Sequence, residues 1–164
     1  MDEYKIISQN YRKYNLIHNS SIIAQLSYEK WYNHNNPKIS IENKTNCSIE
    51  KMNIWKSNFK AKIKDKVILE FIFGWNSIIK INYIENEILN SLILKKESFW
   101  NSNYIILDGL ENQICKIETK YTWRNWKTNY IITNYNFPYT ENKELIYLTI
   151  IHCIILLNIS ASAV

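Results

Sequence analysis

The sequence predicts a mainly β domain whose sheet curls around one C-terminal hydrophobic helix. Three observations carry this. Short apolar or alternating runs, separated by polar turn clusters, recur at roughly 8–12-residue spacing from Tyr4 to Asn136, the pattern of an all-β sandwich or barrel. A tryptophan motif repeats along that region. The run Leu145–Ile159 is long and uncharged.

With 164 residues and 46% apolar content, one domain with a real core is expected, spanning residues 1–164. Two Gly and two Pro are few for a chain that turns often. Asparagine takes their place, as in Asn35-Asn36-Pro37, Asn43-Lys44 and Glu85-Asn86, because its short amide tolerates left-handed turn conformations. The abundance of Asn, Ile and Lys together has the look of base-composition drift, which lowers the weight of any single lysine.

Taken in order, the predicted strands are Tyr11–Ile17, Ile22–Tyr28, Lys38–Glu42, Ser48–Asn53, Asn58–Lys64, Val67–Phe73, Ser77–Tyr83, Ile88–Lys95, Asn103–Leu107, Gln113–Thr119 and Asn129–Thr133. The clearest alternation is Phe59-Lys60-Ala61-Lys62-Ile63-Lys64, with one apolar and one cationic face. Asp108-Gly109 marks a hairpin turn, in a loop longer than two residues.

The repeat reads Trp-x-Ser/Thr-x-(aromatic or Ile): Trp55 to Phe59, Trp75 to Ile79, Trp100 to Tyr104 and Trp126 to Tyr130. The spacings of 20, 25 and 26 residues each accommodate two strands and two turns, so the unit is a hairpin beginning near its tryptophan. The expected role of the indole is to cover the barrel rim or a neighbouring strand.

Leu145–Ile159 would extend about 50 Å as one strand but about 22 Å as a helix, so a helix over residues 141–159 is expected. Thr149, His152 and Asn158 point in different directions on its wheel, leaving no solvent face, so it must be surrounded. The run falls short of the roughly 20 residues of a bilayer span and has no basic flanking cluster. A tail-anchored membrane protein is the alternative, and filling of a barrel is preferred.

These residues resemble a family, the tubby-like barrels that include the phospholipid scramblases and the LURP-one-related proteins, especially short bacterial members. The resemblance rests on Lys143–Leu157, on Leu107-Asp108-Gly109 through Ile117, and on Trp-x-x-x-Tyr hairpins such as Trp126–Tyr130. It implies roughly twelve antiparallel strands wrapped around one hydrophobic C-terminal helix, with strands over about 4–136. The lysine and arginine positions with which tubby proteins bind lipid have no recognisable counterpart in this chain. The scramblases' calcium-binding and cysteine-rich segments have none either, so no functional residue is carried over.

For chemistry the residues offer little. Cys47, Cys115 and Cys153 are widely spaced without a C-x-x-C pair, which reads as core packing in a reducing compartment and no metal site. No nucleophile, base and orienting group cluster, so neither an enzyme nor a cofactor is expected. His18 and His34 fall in a strand and a turn, while His152 reads as a neutral core histidine. Glu85 with Glu87, and Glu141 with Glu144, suit a turn and a helix start. The acidic N-terminus lacks an apolar core, so no signal peptide is expected, and a cytoplasmic location peripheral to a membrane fits.

The net charge of +5 is compatible with anionic partners. Nucleic acid is disfavoured because Arg12 and Arg124 are the only arginines and no Gly-rich loop occurs. The candidate lipid-binding residues are Lys60, Lys62, Lys64 and Lys66 on one strand and its turn, and Arg124 with Lys127 beside Trp123 and Trp126. The competing reading is a solvated strand face that protects an edge, with Arg stacked on Trp. The expected partner is an anionic phospholipid surface or, failing that, an unidentified protein.

Overall fold

Alternation of apolar and polar residues places one face of each strand inward, as in Ile79, Ile81 and Tyr83 or Tyr104 and Ile106, all buried. In the computed structural model, which describes residues 2–30, 34–44, 46–52, 58–122, 127–138 and 140–162, these faces close on one another. Twelve antiparallel strands form a closed barrel: β1 (Asp2–Asn10), β2 (Lys13–His18), β3 (Ser21–Ser27), β4 (Lys38–Ile41), β5 (Cys47–Lys51), β6 (Asn58–Ile63), β7 (Lys66–Phe73), β8 (Ile79–Glu85), β9 (Ile88–Lys96), β10 (Tyr104–Leu107), β11 (Gln113–Thr122) and β12 (Lys127–Asn134). Sequential neighbours pair, and β1 pairs with β12 in the register Tyr4 to Ile132 to complete the wall. Closure removes every free sheet edge.

The expected class, a mainly β barrel around one C-terminal helix, is the observed one. Helix α1 (Lys143–Ser162) fills the interior, with Leu145–Leu148 and Thr149–Ile155 buried. Its axis lies nearest β3 and β4, where Ala24 is a small inward residue. At 20 residues it is about 30 Å long. By length and composition it could cross a membrane, and inside the barrel its apolar surface meets the strands instead.

Several boundaries differ from expectation: β8 starts at Ile79 rather than Ser77, which belongs to the turn before it, and α1 runs Lys143–Ser162 rather than 141–159. Asp2–Asn10 is a full strand, and Tyr11 belongs to the turn after it rather than to β2. Its inward residues are Tyr4, Ile6 and Ser8, so a polar inward serine and an outward Ile7 blur the period-2 signal. Asn53, the expected end of β5, lies outside the described residues.

Because neighbours are antiparallel, all connections from odd to even strands lie at one rim, and those from even to odd lie at the other. Three of the five even-to-odd turns, β2–β3, β6–β7 and β8–β9, are tight two-residue turns. Asn19 and Ser20 join β2 to β3, and Asn86 and Glu87 join β8 to β9, all four at positive φ (48°, 64°, 50° and 65°). That is the geometry whose twist matches a two-residue hairpin. After β12 the chain turns inward at this same rim. The Asn134 Oδ1 accepts from Phe137 N–H at 2.7 Å, and Glu85 Oε1 accepts from Glu141 N–H at 3.0 Å. Helix α1 thus enters through the tight-turn rim and ends at the other, where Tyr104 donates to Asn158 at 3.2 Å.

Candidate functional site

The strand-borne lysines do not form one free cationic face. Lys60 pairs with Glu70 at 3.3 Å and Lys62 with Glu50 at 2.6 Å across neighbouring strands. Lys64, at φ 53°, shares the β6–β7 turn with Asp65. Lys66 opens β7 and lines a cleft of about 310 Å³ with Glu85, Glu87 and Glu141. The four therefore run from the wall onto an acidic rim. Such exposed pairs stabilise by at most about 1 kcal/mol, and they cancel charge that a surface would otherwise see. Of the second candidate pair, Lys127 opens β12 opposite Thr122, and Arg124 lies outside the described residues.

A different asymmetry organises the surface. At the tight-turn rim, strand ends and turns carry Asp2, Glu3, Glu42, Asp65, Glu85, Glu87, Asp108 and Glu111 against Lys44, Lys64 and Lys66. At the other rim, strand ends carry Lys13, Lys38, Lys51, Lys80, Lys95, Lys96 and Lys127, with Arg12 in the β1–β2 turn. The acids there are Glu29 and Glu97 of the described connections and Glu50 beside Lys51, and Glu97 is bound to Lys116 at 2.8 Å and Glu50 to Lys62 at 2.6 Å. Basic and acidic residues are sorted along the barrel axis.

Aromatics are sorted the same way. The Trp motif precedes even strands, so Trp75 and Trp100 both stand at the basic rim, before β8 and β10. The motif's last residues, Phe59, Ile79, Tyr104 and Tyr130, are the inward anchors of their strands and are buried. The two motif indoles among the described residues do not cover the rim as expected. Trp75 is 92% and Trp100 93% exposed, and Phe99 is 89% exposed with its ring edge-on to Trp100 at 5.7 Å. In chain order the other four tryptophans, Trp31, Trp55, Trp123 and Trp126, also fall between an odd and an even strand, outside the described residues.

The two loops that carry the exposed indoles are braced. In the β7–β8 loop Gly74 N–H donates to Ile78 O at 2.8 Å, and Asn76 and Ser77 take left-handed φ of 57° and 60°. A Cβ on Gly74 would meet the Ile78 carbonyl oxygen at 3.2 Å, so the small residue keeps this closure tight. In the β9–β10 loop the Glu97 carboxylate accepts from Asn101 Nδ2 and Asn103 Nδ2, each at 3.1 Å, and from Lys116 on β11. Lys116 first, then Asn103, hold the Glu97 carboxyl below the usual carboxylate range.

The histidines have packing roles. His18 Nε2 meets Asp2 Oδ1 at 2.8 Å and stacks on Tyr4, and His34 lies edge-on to Tyr28. His152 is fully enclosed, its Nδ1 2.9 Å from the Tyr28 hydroxyl, with the rings of Phe59 and Phe71 edge-on to it. Burial pushes its pKa down to about 3, so it is neutral. Among the described residues no three His, Cys, Asp or Glu gather in a group that could hold a metal ion. No protein-family model, no curated protein and no solved structure matches this chain.

Proposed function

We propose that the barrel is a non-enzymatic binding module that meets an anionic phospholipid surface at the periphery of a membrane, in the manner of the tubby and scramblase-like barrels it resembles. The observation that carries this reading is the sorting of charge along the barrel axis. A basic rim opposite an acidic one gives the molecule a preferred orientation above negative headgroups. Each lysine near such a surface contributes about 1 kcal/mol, so a handful of Lys13, Lys51, Lys80, Lys95 and Lys96 is enough for weak, salt-sensitive attachment. The proposed site shifts accordingly from Lys60–Lys66, where Lys60 and Lys62 are paired and Lys64 and Lys66 stand at the acidic rim, to the rim that Lys127 and Arg12 share.

Co-sedimentation tests it. Recovery on vesicles with anionic lipid should exceed recovery on neutral vesicles and should fall as salt rises. Equal recovery on both, unchanged in a Lys95→Glu/Lys96→Glu variant, would sink the reading.

A second reading is a protein-interaction module with no lipid preference. The β8–β9 hairpin favours it, since Ile84, Ile88 and Leu89 are exposed together at its tip, with Ile84 opposite Leu89 in register. A stoichiometric partner recovered without lipid, and lost on Ile88→Ser/Leu89→Ser, would favour it. A tail anchor is the reading least supported, because the apolar stretch of α1 lies within the barrel.

A further inference from the structure

Trp75, Phe99 and Trp100 are large apolar rings left in water by a fold that buries nearly every inward side chain. Single exposed apolar residues need no explanation. Three with exposures near nine-tenths, on loops braced by their own hydrogen bonds, do. Both loops are fixed by hydrogen bonds of Gly74, Glu97, Asn101 and Asn103, within the loop and, from Glu97 and Asn103, to Lys116 and Thr119 on β11, so the rings project from set positions.

We infer that this rim enters the interfacial layer of a phospholipid bilayer, with Trp75, Phe99 and Trp100 inserted among the headgroups and the barrel axis upright over the membrane. The inference rests on the lipid-surface reading above and adds how the surface is gripped.

The occupant is argued from arrangement and charge. Tyr11, in the β1–β2 turn, and Trp75, in the β7–β8 loop, are exposed on connections six strands apart in a ring of twelve, on opposite sides of the mouth. Met52 and, at the emerging end of α1, Ile159 lie on the same rim and are also exposed. A protein partner would need a concave face shaped to span the mouth, whereas a bilayer meets all these points without shape matching. Tryptophan suits that layer, because its ring is apolar and its N–H still finds a polar partner at headgroup depth. Lysines at the neighbouring strand ends supply the complementary charge. At the other rim Ile22, Ile84, Ile88, Leu89 and Leu110 are exposed as well, but four of the five stand beside Glu85, Glu87, Asp108 and Glu111, which anionic headgroups repel, and none is a tryptophan.

The experiment uses the full chain with vesicles of phosphatidylcholine, alone or mixed with phosphatidylserine, and with brominated acyl chains. Wild type should bind the mixed vesicles, and the bromines should quench its emission. Trp75→Ser/Trp100→Ser should lower the partition coefficient by about tenfold or more, given the apolar area removed. Trp75→Phe/Trp100→Phe should keep most of the binding and lose much of the quenching, and Ile88→Ser/Leu89→Ser should change neither. These sites are exposed, so unchanged thermal melting confirms that each variant is folded. If wild type binds anionic vesicles but the serine variant binds equally well and no emission is quenched, insertion is wrong while surface attachment stands. Failure of wild type to bind any vesicle overturns both. A twofold mass in gel filtration that the serine variant abolishes also overturns the inference, because the rim is then a contact between two copies.

Discussion

His152 sits at the centre of the barrel as a neutral base, and its energetics follow from that. Its folded pKa, about 3, lies below the ordinary histidine value of 6.5, so between those values the unfolded chain takes up a proton that the folded one refuses. Its stability contribution is therefore complete above about pH 6.5, declines as pH falls and levels off below about pH 3. The total is on the order of a few kcal/mol. His34, also depressed by burial, acts in the same direction. Urea midpoints measured from pH 7 to pH 4.5 should fall for wild type, and the fall should shrink in His152→Leu. An equal slope in both would contradict the burial argument. The thiols make a parallel case, since burial pushes Cys47 and Cys115 up to about 12 and Cys153 upward too. A thiol reagent at pH 8 should modify none of these three before unfolding and all three after it. Histidine as core and cysteine as packing were both legible in the sequence from their apolar neighbours. The exposure of Trp75 and Trp100 was not, because an aromatic's ordinary preference is burial and only the closed loop geometry at Gly74 and Glu97 turns these side chains outward.

At the level of elements, α1 carries the largest share of the interior. Ile151 is fully buried, so Ile151→Ala should lower unfolding free energy by about 2–5 kcal/mol, read from chemical denaturation. The same change at exposed Ile159 should cost well under 1 kcal/mol. The helix was readable because fifteen uncharged residues have few other destinations. Strand β6 was readable from alternation, β7 and β9 from their apolar runs, and the asparagine turns from residues such as Asn43 and Asn86, both at positive φ. Strand β1 was hidden by Ser8 pointing in and Ile7 pointing out. The dipole of α1 also agrees with its surroundings at one end: its N-terminus, with Glu144 in the first turn, lies at the acidic rim, while its last turn carries no basic residue of its own.

Across the whole molecule, the sorting of residues between two rims is the property that no single segment displays. The signal for it was present in the spacings of the tryptophan motif, because a unit of two antiparallel strands always returns the chain to the rim it left. Reading it requires knowing that the sheet closes and that every connection alternates sides. Attachment to anionic vesicles should therefore weaken steeply between 50 and about 200 mM salt, through screening of several lysines at once. Lys62→Glu, which removes a paired charge on the wall, should change it little, by the same co-sedimentation assay.

The pairing of β1 with β12 has a kinetic consequence. The wall is sealed by the two strands farthest apart in the chain, and the segment that fills it follows the last of them. Loop-closure entropy must be met in full before any of the central contacts forms, so folding should be slow and all-or-none, with few stable partial barrels along the way. While the chain is being synthesised, the inward faces of β1 to β11 have nothing to enclose, and protection from aggregation must come from outside the chain until α1 arrives.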